Sequence, residues 1–297
     1  MDKRFNGWPS GFLGMLIFSG SLPATRVALT SFDPIFLTLA RATIAGLIAS
    51  FILLVSNKPY PPRRDYLSFL VVIFGVVVGY PLLSALALRH VGSAHAVVFL
   101  GLLPMLTALF GVLRNGERLR RGFWGFSLLG GLVVASFALT QGVKISVIDD
   151  LLMLAAVVVC ALGYAEGARL SRNLGGWQVI CWALALSLPL MLPLTLINLP
   201  SNPYQASWPA LFCLAYVSLF SMLIGFFFWY RGLALGGIAA VSQLQLLLPF
   251  FGLGLSALLL GESINLIMLM STLAVAVCVA GTRRFATPIE RIRSCES

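Results

Sequence analysis

The sequence has few charged residues, and this low charge limits the kind of protein it can be. Only 10% of its 297 residues are Asp, Glu, Lys or Arg, whereas a soluble domain usually has about 25%. A chain with so little charge cannot cover a water-facing surface of this size with ionic groups. The composition therefore excludes an ordinary soluble globular protein.

The sequence also lacks the common motifs for catalysis, ATP binding and metal binding. Its two histidines, His90 and His95, form no HExxH motif, and neither a Gly-x-Ser-x-Gly nor a Gly-x-x-x-x-Gly-Lys-Ser/Thr sequence occurs. None of the five cysteines forms a CxxC pair, so we expect free thiols rather than a disulfide framework or a zinc site. We expect no enzymatic activity, no metal and no cofactor.

What the sequence has instead is a series of long apolar runs. Hydrophobic residues make up 59% of the chain, and each run is close to the roughly 20 residues that a helix needs to cross a bilayer. Backbone polar groups find no partners in lipid, so the runs must be helical. We therefore predict an all-α integral membrane protein with ten transmembrane helices. The ten runs lie at about 9–28, 34–55, 66–88, 94–113, 122–140, 150–169, 177–198, 208–230, 238–259 and 265–282.

One stretch of the sequence occurs twice. Residues 80–117 align without a gap on residues 225–262, at a constant offset of 145, which indicates an internal duplication. The duplication predicts two repeats of five helices at 1–145 and 146–285, followed by a polar tail at 286–297. The aligned landmarks are Gly92 with Gly237, Ala94 with Ala239, Pro104 with Pro249, and Glu117 with Glu262.

The basic residues are distributed unequally between the predicted connections. If the N-terminus is cytoplasmic, only Arg26, Arg89 and Lys144 fall on the outer side and nearly all others fall on the inner side, as the positive-inside rule requires. Loops that face anionic lipid then explain the net charge of +10 without a nucleic-acid partner. We predict a multi-pass protein of the inner (plasma) membrane with both termini cytoplasmic. Because each repeat has five helices, the two repeats are inverted.

The repeated landmarks resemble those of the EamA family, the ten-helix branch of the drug/metabolite transporter superfamily. Arg41 also fits that family, whereas Phe18-Ser19-Gly20 departs from its usual Trp-Gly, and the second repeat has Leu184 where an equivalent arginine would lie. The resemblance implies a secondary transporter that exports amino acids or related small polar metabolites. The matching residues are Ala87-Leu88, Gly92, Ala94, Pro104, Gly116-Glu117 and Gly130-Gly131 in the first repeat, and Gly232-Leu233, Gly237, Ala239, Pro249 and Gly261-Glu262 in the second.

Inverted repeats allow a central site to face either side of a membrane in turn. The predicted function is therefore alternating-access transport of a small molecule, coupled to an ion or solute gradient because no ATP motif occurs. The alternatives are a facilitative exchanger or uniporter of another metabolite class, and a non-transporting membrane protein. The sequence leaves the substrate, the coupling ion and a homodimer open.

Six residues are predicted to bind the substrate. Arg41 lies about two turns into the second run, where a guanidinium group is costly unless it faces protein or water. It either lines a cavity and attracts a carboxylate, or it reaches the outer interface or pairs with Asp33. The aromatic members of the set could instead belong to interface belts. The six residues are Arg41, Tyr80, Tyr164, Trp229, Gln243 and Gln245.

Pro104 and Pro249 are predicted to act as hinges. Each removes one backbone hydrogen bond from its helix and frees the carbonyl group four residues earlier, at Leu100 and Gln245. The alternative is that both prolines only kink their helices for packing, which is common in membrane proteins.

Glu166 is the acidic residue that lies inside an apolar run. A carboxyl group in that position could carry a proton during transport. The alternative is an ion pair with Arg169, three residues later on the same helix.

Overall fold

The computed structural model describes residues 7–90, 93–140, 146–200, 206–252, 254 and 266–286, and the regular structure within these ranges is helical. Eight helices in this part of the chain are long and apolar enough to cross a membrane. The protein is therefore a multi-pass helical membrane protein. In chain order the eight are α1 Gly7–Ala28, α2 Pro34–Val55, α3 Arg63–Leu88, α4 Ala96–Asn115, α5 Arg121–Leu139, α6 Val147–Leu174, α7 Gly176–Ile197 and α8 Trp208–Gly236.

Two more helices follow these eight. The first, α9, is a shorter apolar helix at Ile238–Gly252, and the second, α10, spans Leu266–Phe285. Each of the ten predicted runs lies on one of these helices, with ends that differ by a few residues. The last part of the ninth run, from residue 255 to 259, lies outside the described residues.

The ends of the helices follow local rules of capping. Asp33 precedes α2, and its Oδ1 atom accepts a hydrogen bond of 2.9 Å from the backbone N–H of Ile35. Pro34 occupies the first turn, where a missing N–H costs nothing. Gly116 ends α4 in a left-handed conformation with φ 66°, which a residue without a Cβ atom adopts freely. These ends are therefore fixed by residues next to them in the sequence.

The helices pack in pairs that join the first half of the chain to the second. Helix α2 packs along α7, α5 along α10, and α4 against α9. Helix α1 packs along α8, and α3 along α6. An exchange of the two halves converts the α1–α8 pair into the α6–α3 pair and leaves the other three pairs unchanged. The interface between the halves therefore runs through the middle of the molecule.

Glycine residues allow two of these helices to approach closely. A Cβ atom added to Gly163 of α6 would lie 2.9 Å from Val76 Cγ1 and 3.2 Å from Gly75 Cα of α3. A Cβ atom added to Gly75 would lie 2.6 Å from the carbonyl oxygen of Val159. Small residues at such a contact increase van der Waals packing between membrane helices, where burial from water contributes little.

Helices α3 and α8 share an unusual feature. Each has a π-helical segment, at Ile73–Gly79 in α3 and at Val217–Ile224 in α8. The offset of 145 from the sequence repeat moves residues 73–79 onto 218–224, so the two segments occupy equivalent positions. A π-helical turn is rare and often marks a functional region.

The helices that contain Pro104 and Pro249 are irregular near these prolines, as expected from the sequence. Helix α4 is interrupted by a turn at residues 101–102, directly before its second segment, Leu103–Asn115. Helix α9 has a 3₁₀ segment at Gln243–Leu247, which ends shortly before Pro249. Pro104 and Pro249 each lack the N–H that would complete an α-helical hydrogen bond in these regions, although α7 stays α-helical through Pro189 and Pro193.

Candidate functional site

A cavity lies between the two halves of the molecule. Residues of α1, α2, α3, α4, α6, α8 and α9 form its walls, and its empty space is about 600 Å³, part of it open to solvent. The walls consist of Phe18, Ser21, Leu22, Thr25, Arg41, Val76, Tyr80, Pro81, Ser84, Leu100, Leu103, Cys160, Tyr164, Ser221, Phe226, Gln245 and Leu248.

The cavity brings together four of the six residues that the sequence predicted to bind substrate. Arg41, Tyr80, Tyr164 and Gln245 belong to its walls. They come from four different helices and are brought together only by the packing of the two halves. Trp229 and Gln243 are fully buried but do not belong to these walls.

Arg41 is a buried guanidinium group with few partners. The residue is only 7% exposed. Its Nη2 atom donates a hydrogen bond of 3.4 Å to Ser221 Oγ, whereas its Nε atom has no hydrogen-bond partner among the described residues. Ser21 Oγ donates a hydrogen bond of 2.7 Å to the same Ser221 oxygen. Asp33 contacts Arg89 Nη1 at 3.5 Å, so the structure pairs this carboxylate with Arg89 rather than with Arg41.

Aromatic rings form one side of the cavity. The ring of Phe226 lies 5.1 Å from that of Phe18 and 5.9 Å from that of Tyr164, measured between centroids. Trp229 supports this wall from behind, with its ring 5.6 Å from Tyr164 and 6.0 Å from Phe18. Trp229 therefore acts on the cavity through other rings rather than by facing it.

The two glutamines of α9 have different surroundings. Gln245 reaches the cavity and is 3% exposed, and its Oε1 atom has no hydrogen-bond partner in the described part of the chain. Gln243 Nε2 donates a hydrogen bond of 3.3 Å to the carbonyl oxygen of Pro104, and Ser242 Oγ donates to the same oxygen at 3.3 Å. Gln243 therefore ties α9 to α4 at Pro104.

Glu166 lies outside the cavity, near the end of α6. Its side chain is fully buried, Oε2 lies 3.3 Å from Arg114 Nη2, and Oε1 accepts hydrogen bonds from Arg169. The Arg169 guanidinium also donates to Ser68 Oγ. The pair with Arg169 that the sequence allowed is thus present, and Arg114 adds a second positive charge that links α4 to α6.

Glu117 makes a contact that the sequence did not predict. Its Oε1 and Oε2 atoms accept hydrogen bonds of 2.9 Å each from the backbone N–H groups of Ile238 and Ala239, which lie in the first turn of α9. Arg172 Nη2 also donates to Oε1 at 3.2 Å. The carboxylate therefore caps a helix of the other half of the chain. The repeated Gly-Glu landmark was the one sequence signal that pointed to this residue.

Unlike Arg41, the ion pairs of the described residues lie at the two ends of the helix bundle. Gly7 packs against Gly236, and Glu117 contacts both Ile238 and Arg172, so the last turns of α4 and α6 lie at the end where α1 begins. The cavity walls extend from the middle of the helices toward the opposite end. The first end has Arg114, Glu117, Glu166, Arg169 and Arg172, and the second has Asp33 with Arg89 and His90 with Asp149.

Comparisons with known proteins identify the family. The model of the EamA-like transporter family matches twice, at residues 7–140 and 147–283. The uncharacterized transporter YdeK of Bacillus subtilis (strain 168) is 62% identical over 286 residues, which cover 96% of this chain and 100% of YdeK. A solved structure, described only as the crystal structure of a protein, matches with a TM-score of 0.78 at 19% identity, covering 94% of this chain and 98% of that one.

At 19% identity the solved structure shows similarity of fold alone. The family match and YdeK carry the functional information, and both point to a non-enzymatic membrane transporter. The resemblance seen in the sequence is thereby confirmed: this chain belongs to the EamA-like transporter family and is a multi-pass membrane transporter.

Proposed function

We propose that the protein moves a small polar metabolite across the inner (plasma) membrane by alternating access, with the cavity around Arg41 as its substrate site. The observation that carries the proposal is a buried guanidinium group in a cavity between the two halves, whose Nε atom has no hydrogen-bond partner within the described ranges. Ionisable groups inside a membrane protein are costly and are usually retained for function.

The proposed architecture is ten transmembrane helices in two inverted repeats, 1–145 and 146–285. Three observations support it: the family model matches once in each half, the π-helical segments of α3 and α8 are equivalent under the repeat offset, and the five helix pairs described above map onto one another when the halves are exchanged. Inverted repeats permit two states in which the halves exchange conformations.

The proposed orientation places both termini in the cytoplasm. The clustering of Arg114, Arg169 and Arg172 at one end of the bundle supports this choice, since basic residues accumulate on the cytoplasmic side. The cavity walls then extend toward the outer face, whereas the ion pairs of Glu117 and Glu166 lie at the inner face. In this conformation the inner side is the closed one.

Pro104 and Pro249 are proposed as the hinges of the two gates. Support comes from the interruption of α4 before Pro104 and the 3₁₀ segment of α9 before Pro249. The hydrogen bond from Gln243 to the Pro104 carbonyl also connects the two irregular regions directly. A movement of α4 at Pro104 would therefore displace α9, and a movement of α9 would displace α4.

Export of amino acids or related metabolites is the direction and cargo that the family resemblance implies. A facilitative exchanger or uniporter would use the same cavity without coupling to a gradient. Glu166 is the proposed candidate for proton coupling among the described spans, although its two arginine neighbours favour a structural role in holding α4 to α6.

The experiment is uptake of labelled small metabolites into proteoliposomes that contain the purified protein. We expect saturable uptake of at least one solute, and we expect Arg41→Ala to abolish it while Arg26→Ala leaves it intact. Arg26 is exposed at the end of α1 and provides a matched control. If no solute is moved saturably by a correctly folded protein, the transport proposal fails and a non-transporting membrane protein is the better description.

A further inference from the structure

We infer that the cavity is built for an organic monoanion, namely a carboxylate with an apolar or aromatic body and no ammonium group. This inference rests on the proposed function, because it assigns a substrate class to the same cavity. It starts from Arg41, which is 93% buried and whose side chain makes one long hydrogen bond to the described residues, with the neutral hydroxyl group of Ser221. A carboxylate would supply both the missing countercharge and an acceptor for the free Nε–H.

No carboxylate is present among the residues that line the cavity. The acidic residues of the described ranges lie elsewhere, near helix ends. Glu166 is paired with Arg114 and Arg169, and Glu117 with Arg172 and the start of α9. The others are Asp33, Asp65, Asp149 and Asp150. The part of the cavity wall that the described residues form therefore has one fixed positive charge and no fixed negative charge.

This charge distribution discriminates against an amino acid. An amino acid whose carboxylate binds Arg41 would also bring its α-ammonium group into the same desolvated space, next to a guanidinium group of like charge. A buried ammonium group needs a countercharge and good hydrogen-bond acceptors to offset its lost hydration. The walls offer hydroxyl groups, aromatic faces and the free Gln245 Oε1 atom, but no negative charge.

A neutral hydrogen-bond donor in place of the α-ammonium group would not bear the cost of burying an unpaired charge. The Oε1 atom of Gln245 is a buried acceptor without a partner among the described residues, which is costly to leave unsatisfied. A hydroxyl group on the ligand can donate to it without adding charge. The rings of Phe18, Tyr80, Tyr164 and Phe226 supply an apolar surface for the rest of the molecule. A 2-hydroxy acid with an aromatic side chain therefore fits the set of groups better than the corresponding amino acid.

A series of compounds with one skeleton tests this inference. The probes are 2-hydroxy-3-phenylpropanoate, 3-phenylpropanoate, phenylalanine, 2-phenylethylamine and 3-phenylpropanamide, with binding to the purified full-length protein in lipid nanodiscs measured by calorimetry. We expect both anions to bind at least about tenfold more tightly than phenylalanine, which corresponds to about 1.4 kcal/mol. The amine and the neutral amide should bind more weakly still. Equal or tighter binding of phenylalanine, or no binding of either anion, overturns the inference.

Substitutions at Arg41 provide the second arm of the test. Arg41→Gln should abolish the preference for anions, whereas Arg26→Gln, at an exposed position, should leave it unchanged. Removal of an uncompensated buried charge should not lower stability, which thermal unfolding without ligand will check. If Arg41→Gln does not fold, Arg41→Lys must retain the order of affinities because it keeps the positive charge. An anion preference that survives in folded Arg41→Gln overturns the inference.

Transport assays separate this inference from the proposed function. Proteoliposomes loaded with the same five compounds report whether a bound compound also moves. If the anions bind preferentially but none is transported, the substrate-class inference stands for the cavity and the transport proposal is wrong. If phenylalanine is transported saturably in preference to both anions, transport is correct and the substrate class is wrong.

Discussion

Neutralisation of Glu117 should open the cavity toward the end of the bundle where Glu117 lies. In the structure the two carboxylate oxygens each accept a hydrogen bond of 2.9 Å from Ile238 and Ala239 at the start of α9. These hydrogen bonds join the segment between α4 and α5, in the first half of the chain, to α9 in the second half. If the halves move against each other during transport, this contact must break when the cavity opens to that side.

The structure allows the size of the effect to be estimated. A hydrogen bond to a charged group contributes roughly 1.5–3 kcal/mol, about twice a neutral one. Glu117→Gln removes the charge from both bonds and turns one acceptor into a donor that faces a backbone N–H. We therefore expect a loss of about 2 kcal/mol from this contact. A change of that size alters a two-state equilibrium about 30-fold.

Arg172→Gln is the matched control for this substitution. It removes the guanidinium that lies 3.2 Å from Glu117 Oε1 but leaves both backbone hydrogen bonds in place. The Arg172 side chain is 41% exposed, and a partly exposed ion pair usually contributes less than about 1 kcal/mol. Arg172→Gln should therefore have a much smaller effect than Glu117→Gln.

Cysteine accessibility measures the predicted shift. A single cysteine replaces Ser84 in the cavity wall on a cysteine-free background, and a membrane-impermeant thiol reagent is applied from each side of oriented vesicles. We expect Glu117→Gln to increase labelling from the side of Glu117 several-fold or more. If labelling is unchanged, or if Glu117→Gln and Arg172→Gln behave alike while thermal unfolding shows intact protein, then the contact does not control access and this reasoning is refuted.

Three further predictions concern Arg41, the prolines and the orientation. Arg41→Lys should reduce uptake strongly even though it keeps the positive charge, because the bidentate geometry of the guanidinium is lost. Normal uptake by Arg41→Ala at normal expression would exclude a role of Arg41 in the cavity. Pro104→Ala and Pro249→Ala should shift accessibility of cavity cysteines at Tyr80 and Tyr164 in opposite directions, each by about tenfold for 1.4 kcal/mol; shifts in the same direction, or none in folded protein, would make both prolines packing features. A cysteine at exposed Asn198 should react with an impermeant reagent from outside the cell and one at exposed Arg118 should not, and the reverse result would invert the proposed topology.

The sequence by itself determined where the helices lie and to which family the chain belongs. An apolar run of sufficient length has no alternative to a helix in lipid, so the runs predicted where the helices of the described residues lie, most of them to within a few residues. Local chemistry also determined several ends, since Asp33 caps the helix that begins one residue later and Gly116 ends α4 with a positive φ. The positions of Pro104 and Pro249 in the sequence predicted the irregular regions of α4 and α9.

The sequence did not determine which polar residues meet. Arg41 contacts Ser221 across 180 positions of the chain, Glu117 caps Ile238 across 121, and Gln243 reaches Pro104 across 139. No local pattern encodes such pairs, because they depend on how the two halves pack. The prediction for Glu166 included Arg169 on the same helix, whereas its second partner, Arg114, belongs to another helix.

Only the tertiary structure decided which face of each helix lines the cavity. Ser221 and Phe226 belong to its walls, but Trp229, three residues after Phe226, packs behind them. An α-helix turns by about 100° per residue, and the π-helical segment at Val217–Ile224 changes that phase in the middle of α8. The orientation of every later residue therefore depends on backbone geometry that the packing of the halves imposes. Neither the composition nor the periodicity of the sequence predicts this backbone geometry.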